Sequence, residues 1–328
     1  MATISDVAAR AGVSVATVSR TLNGNATVDP GLASRVRAAA TELGYQPNGL
    51  ARSLRKRKTA VLALIISDVE NPFFTSIARG VEDVAMAAGY SVVLCNSDEK
   101  LDKERRYLDV AVEDRMAGVV LSPTAAGTNV DALLSRGTPV VAVDRPLPGV
   151  DQVLVNTRLA AAEATAHLIR SGYRHIGCVT GPAGVRTADD RLAGYRDALG
   201  GAGRDEAPWL VRRADYRTEG AGQAAAEMLA AGPVDALLVA NSTQAIGVLD
   251  ALRRAGARLG ADVGVVAFDD APWATLIDPP LTVVAQPAYE LGAVAARLLL
   301  DRIGGATSEP VTRTLAAALI ERGSSRRP

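Results

Sequence analysis

Two spacings of apolar residues divide the chain. Up to Gly44 they recur at three and four, the period of short amphipathic helices. Ile4, Val7, Ala8 and Ala11 share one face. Thr3, with Asp6 three later, makes a capping box in front of them, and Gly12 is placed to end the helix in a left-handed turn. Ser14 then caps a second helix with Val18 and Leu22 inward. Asp29-Pro30 opens a third, whose apolar face is Leu32, Val36, Ala39, Ala40 and Leu43 before Gly44. From residue 60 the pattern changes to short continuous runs: Val61–Ile66, Ser91–Cys95, Gly118–Leu121, Pro139–Val143, His175–Thr180, Asp235–Ala240 and Asp262–Phe268. Helical stretches of about 12–16 residues separate most of them, and such strands predict buried parallel sheets. Asp151–Asn156 reads as a crossing between two such units, a short strand is expected near Trp209–Val211 ahead of Tyr216, and after Leu281–Val284 come a helix, Glu290–Ile303, and a last strand, Leu315–Ile320.

The first two helices around Gly12 make a helix-turn-helix. In a major groove the second helix would present Val15, Ala16 and Arg20. Arg20 suits the O6/N7 edge of guanine, and the small apolar pair suits a thymine methyl. Ser14, Thr17, Ser19 and Asn23 are short donors fit for phosphates, and Thr3 lies beside them. A surface helical hairpin without a ligand fits the same spacing equally well. Downstream, Leu50, Ala51 and Leu54 share a helical face in an otherwise basic segment, Asn48 to Lys58, that is short enough to form a helix only when paired or bound.

The run Ile4-x-Asp6-Val7-Ala8-x-x-Ala11-Gly12-Val13-Ser14-x-x-Thr17-Val18-Ser19-Arg20-x-Leu22-Asn23 resembles the N-terminal signature of the LacI/GalR family of bacterial transcription regulators, and the similarity extends over essentially the whole chain. The resemblance implies an α/β chain: a three-helix helix-turn-helix domain (1–46), a hinge helix and linker (47–59), and a periplasmic-binding-protein-like core (60–328) of two doubly wound parallel-sheet subdomains. These would comprise about 60–156 with 287–312, and about 157–286 with 313–328, the chain crossing near 156–160, 285–290 and 312–320. It implies DNA contacts from the first helices and from Asn48, Arg52 and Leu54, with Leu54 as a minor-groove wedge. Gly49 stands where the family usually has Ala, which loosens the hinge by up to ~1 kcal/mol of helix propensity.

Charge sharpens this picture. The chain is neutral overall, but residues 1–58 hold nine Lys and Arg against three acids, a net charge of +6, which leaves −6 on the remainder. A basic head on an acidic body favours phosphate contact at one end. Cys95 and Cys178 lie in apolar runs and read as buried free thiols; His167 and His175 are too few and too separated for a metal site. No apolar leader and no run near the ~20 residues of a membrane helix are present, so a cytoplasmic protein is expected, and one that ends without a leucine-heptad tail is expected to be a homodimer. The nucleotide-binding glycine motifs and the nucleophile elbow are absent from the sequence, so no enzyme and no cofactor is expected. A periplasmic sugar-binding protein would share the core but not the basic head.

Open parallel sheets bind ligands beyond the carboxyl ends of their strands. Just past the strands stand Asp68, Asp144-Arg145, Gly181, Asn241 and Asp269-Asp270, and Thr187–Asp190 reads as a capping box ahead of Arg191. Aromatic residues are only 4% of the chain, so the placement of Phe73, Phe74, Tyr216 and Trp273 near these ends is informative; Phe74 reads as core, Phe73 and Trp273 as faces for a sugar ring or flat base. The resemblance places effector contacts on Phe73, Asp144, Arg191, Tyr216, Asn241 and Asp269. Val155 and Ser242 replace two carboxylates common in the family, which removes acceptors for sugar hydroxyls. A sugar-responsive repressor is the first expectation and a nucleobase-responsive one the alternative.

Overall fold

The computed structural model describes residues 2–22, 28–45, 59–124 and 127–327. It divides into two units, residues 1–59 and 60–328. In the first, α1 (Ile4–Ala11), α2 (Val15–Leu22) and α3 (Pro30–Glu42) enclose Val7, Ala8, Ala11, Val18, Val36, Ala39 and Ala40. The local chemistry is that of the sequence. Asp6 N donates to Thr3 Oγ1 while Thr3 N donates to the Asp6 carboxylate; Gly12 turns left-handed at φ 61°; Thr17 N donates to Ser14 Oγ; Asp29 Oδ1 accepts from Gly31 and Leu32. On α3 the inward positions are Ala33, Val36, Ala39 and Ala40, while Leu32 and Leu43 are only half-buried.

The second unit holds two six-stranded sheets. The first, in order β11-β5-β4-β3-β1-β2, contains β1 (Val61–Ile66), β2 (Ser91–Asn96), β3 (Gly118–Leu121), β4 (Val140–Val143), β5 (Asp151–Val155) and β11 (Thr312–Leu315). The second, in order β12-β10-β9-β8-β6-β7, contains β6 (Ile176–Thr180), β7 (Val211–Arg213), β8 (Ala236–Val239), β9 (Gly264–Phe268), β10 (Thr282–Ala285) and β12 (Ala318–Ile320). All pairings between these strands are parallel except β10 with β12. Both faces of each sheet are covered, which is why the strands read as unbroken apolar runs. In the first lobe α4 (Pro72–Ala87) and α11 (Ala288–Ile303) cover one face, α5 (Leu101–Glu113) and α6 (Asp131–Ser135) the other. In the second, α7 (Thr157–Arg170) and α8 (Arg186–Gly201) lie opposite α9 (Thr218–Ala231) and α10 (Ser242–Arg254).

Helix α11, more than 200 residues after α4, returns to pack on it through glycine. A Cβ on Gly80 would lie 2.1 Å from the Tyr289 carbonyl, and one on Gly292 would lie 2.1 Å from that of Ile77. The two backbones therefore touch, and only glycine fits on either side.

Three sequence expectations change. Most of Asp151–Asn156 is itself a strand, β5 (Asp151–Val155), and the chain leaves for the second sheet only at Asn156, which caps α7. The expected last strand Leu315–Ile320 is two strands in different sheets: Thr312–Leu315 pairs with β5 and Ala318–Ile320 with β10, so the third crossing falls at Ala316-Ala317, inside the expected range 312–320. An uninterrupted apolar run hid that change of partner. The short strand expected at Trp209–Val211 is a turn of 3-10 helix, Pro208–Leu210, followed by Val211–Arg213.

Candidate functional site

The carboxyl ends of the two sheets face each other across a narrow cavity. The first lobe contributes Asp68, Asn71, Phe73, Phe74, Glu99, Asp144 and Arg145; the second contributes Thr187, Arg191, Tyr216, Asn241 and Asp269, with Gln286 between them. Five of these follow directly from the rule of reading past each strand, because a parallel sheet points all its strand ends one way. Asp144 and Asp269 are equivalent positions. Each follows the strand third from its sheet's crossing edge, each donates its N–H to the neighbouring strand (Val153 O and Val284 O, 3.0 Å each), and each is left-handed, at φ 69° and 72°. Two non-glycine residues held at positive φ mark stored strain of the kind found at ligand sites.

Arginines lie between the acids. Arg191 donates to the Ala240 carbonyl at 2.6 Å and rests over the Phe268 ring, 4.3 Å from its centroid. Arg145 donates both terminal nitrogens to Glu99 at 2.6 and 2.8 Å, and also holds the Pro123 and Thr124 carbonyls. Its Nε lies 3.5 Å from the Asp144 carboxylate. Gln286 Nε2 donates to Asp269 at 2.7 Å. Burial pushes Asp144 up to about 6; the charges of Arg145 and Arg191 offset it, and Asp269 and Glu99 add to it. Asp269 is also raised, again chiefly by burial.

Aromatic faces line the rest. Phe73 and Phe74 pack edge to face, 5.1 Å between centroids, and both belong at once to the first lobe's core and to the cavity wall. Tyr216 lies over Gly181, where a Cβ would come within 2.3 Å of its ring. The Arg145 guanidinium lies over the same ring, 6.0 Å from its centroid. Four buried side-chain polar atoms of the cavity make no hydrogen bond: Arg145 Nε, Arg191 Nε, Tyr216 OH and Gln286 Oε1. Buried donors and acceptors are nearly always satisfied in a folded protein. Of the six such atoms among the described residues, four lie on residues that line this cavity.

Of the expected site residues, Phe73, Asp144, Arg191, Tyr216, Asn241 and Asp269 come together around this cavity. Trp273 does not: it sits in the turn Pro272–Thr275 and packs half-buried on the second lobe's core. The expected capping box at Thr187–Asp190 is also absent. Helix α8 begins earlier, at Arg186, so Thr187 lies inside the helix, buried in the cavity wall, and Asp189 accepts from Gly184 N–H and pairs with Arg213. Glu99 and Gln286 escaped the sequence reading, although each follows a strand by only a few residues. His167 is structural, joined to Ser325 Oγ at 2.7 Å and to Glu321 at 3.1 Å. Both cysteines are free and buried.

On the first unit, Thr3, Ser14, Val15, Ala16 and Arg20 are exposed, while Thr17 and Ser19 are half-buried. The other arginines of α1 and the start of α3 are spent on packing: Arg10 pairs with Glu42, and Arg35 donates to the Ala11 carbonyl at the end of α1. The Thr3 hydroxyl is engaged by Asp6 and the Ser14 and Thr17 hydroxyls by each other. Asn23, Asn48, Arg52 and Leu54 lie outside the described residues.

The profile for bacterial regulatory proteins of the lacI family matches residues 3–48, and that for a periplasmic binding protein-like domain matches residues 165–325. The ribose operon repressor of Halalkalibacterium halodurans is 38% identical over 92% of this chain and 91% of its own. The chain belongs to the lacI family. The ribose operon repressor of Escherichia coli is 35% identical over 99% of this chain and all of its own length. Among solved structures, a lac repressor dimer bound to operator superimposes with TM-score 0.87 at 25% identity, covering 99% of both chains. A transcriptional regulator in complex with cellobiose gives 0.76 at 33% identity over 99% of this chain and all of that one. A family member from Enterococcus faecium with bound ribose gives 0.73 at 25% identity, over 80% of this chain and 98% of that one. This lacI-family chain is thus a DNA-binding transcriptional repressor and not an enzyme. No helix among its described residues is long and apolar enough to cross a membrane.

Proposed function

We propose that this repressor takes ribose, or a sugar of similar size, in the cavity between its lobes, and that the sugar sets its affinity for a palindromic operator. The observation that carries this is the cavity's chemistry. Acids and arginines alternate around the cavity, with aromatic faces for a ring's apolar side. Paired Asp and Arg side chains can accept from and donate to vicinal hydroxyls, and buried polar atoms such as Arg191 Nε and Gln286 Oε1 have hydrogen-bonding capacity to spare. The named relatives are ribose operon repressors, and one structural neighbour holds ribose, which supports the same choice. A flat nucleobase would stack on the same rings but would satisfy fewer of these groups.

We assign residues 1–46 to operator reading, 47–59 to the hinge and the remainder to effector binding and dimerisation. Two heads of a homodimer would read two half-sites in the cytoplasm of a bacterium. A ligand moves such an equilibrium only by binding one state better than the other. Calorimetric titration of ribose tests the assignment. Heat of binding is expected from the wild type and is lost in Arg191→Ala or Asp269→Ala, both of which retain operator binding. Saturable ribose binding in Arg191→Ala would remove Arg191 from the site; no binding of ribose to the wild type, with binding of a nucleobase instead, would replace the sugar.

A further inference from the structure

Residue Arg217 follows the cavity-lining Tyr216 and stands at the start of α9 in the second lobe. Its guanidinium crosses the cleft. Nη1 donates to Asp68 at 3.2 Å and to Glu70 at 3.1 Å, and Nη2 donates to Asp98. All three acids belong to the first lobe, in the loops after β1 and β2. The other ion pairs described in the core stay within one lobe, as with Arg302–Asp151, Arg145–Glu99 and Arg322–Asp270.

Its acceptors are held in place. Asp98 and Glu99 are successive non-glycine residues at φ 56°, and this left-handed pair sends one carboxylate to Arg217 and the next to Arg145 in the cavity. Asp68 is buried, its other oxygen accepts from Glu70 N–H, and its side chain also lines the cavity. Burial works against the charge on Arg217, yet Asp68 and Asp98 hold its pKa above the usual value.

We propose that Arg217 is an ionic latch that holds the two lobes closed without a ligand and, by orienting Asp68, acts as a positioning residue for the effector. The cavity groups are ones a ligand would come between. Arg217 lies at the rim, where its side chain remains 35% exposed, so salt can reach and weaken it. Opening of the latch then precedes entry and exit of the effector.

The test is X-ray scattering on the ligand-free, full-length protein, with wild type, Arg217→Gln and Asp98→Asn compared. Arg217 makes no side-chain cap on α9, so its replacement leaves the helix start intact, and Asp98 is not a cavity residue. Between 0.1 and 1 M NaCl the screening length falls from about 10 to about 3 Å. The wild type is expected to expand over that range. Arg217→Gln is expected to be expanded already at low salt and to lose the salt dependence; Asp98→Asn should fall between, and the double variant should add nothing to Arg217→Gln. Scattering of Arg217→Gln that superimposes on the wild type at both salt levels overturns the latch, and Asp98→Asn decides in the same way if Arg217→Gln fails to fold. With ribose as probe, stopped-flow dissociation should quicken on the order of tenfold in Arg217→Gln. This second arm rests on the sugar reading. If ribose does not bind the wild type, that reading fails while the ligand-free scattering still judges the latch.

Discussion

Two aspartates carry the energetic tension of the core. Asp144 and Asp269 are buried, left-handed and line one cavity; burial raises the cost of ionising both, and Asp269 adds to that of Asp144. The sign follows from linkage. A carboxyl with a folded pKa of about 6 and an ordinary unfolded value near 3.8 binds more protons when folded, so ligand-free stability falls as pH rises between those values. Asp144→Asn removes that penalty. We expect thermal unfolding of the ligand-free variant to show a gain on the order of 1–3 kcal/mol at pH 7.5 that disappears near pH 4, together with loss of effector binding. An equal gain at both pH values would show that ionisation is not the cause. The site thus trades stability for binding, as strained ligand sites commonly do.

At the scale of the element, the helix-turn-helix was legible almost residue by residue, because each of its features is local: the Thr3–Asp6 box, the left-handed Gly12, the Ser14 and Asp29 caps. Helix α2 leaves Val15, Ala16 and Arg20 outward, while Arg10 and Arg35 are taken up by Glu42 and the Ala11 carbonyl. Arg20→Ala is therefore expected to cost ~1–3 kcal/mol on the cognate half-site and little on random DNA, measured by competition gel shift. Equal loss on both would make Arg20 a phosphate contact. Strand positions were legible too, since a strand buried on both faces must be apolar. What failed depended on partners distant in sequence. Nothing local separates Thr312–Leu315 from Ala318–Ile320, because the choice of sheet is made by β5 and β10. Thr187 has the spacing of a cap, but α8 starts at Arg186 and carries it into the cavity. Trp273 lies near the cavity in sequence, and the fold turns it toward the second core.

For the whole molecule, two sheets of matching order joined by three crossings place both sets of strand ends around one cavity, so a molecule bound there touches both lobes at once. Arg217 adds a contact between lobes that needs no ligand. A sensor of this kind can regulate only if lobe closure and operator affinity are coupled. The direct measurement is fluorescence anisotropy of a labelled palindromic duplex from the protein's own promoter region, titrated with the full-length chain with and without saturating ribose. The account predicts tight, palindrome-selective binding whose midpoint ribose shifts by on the order of tenfold or more, a coupling of about 1.4 kcal/mol. Binding that is no tighter than to bulk DNA, or a midpoint that neither ribose nor any related sugar moves, would contradict it.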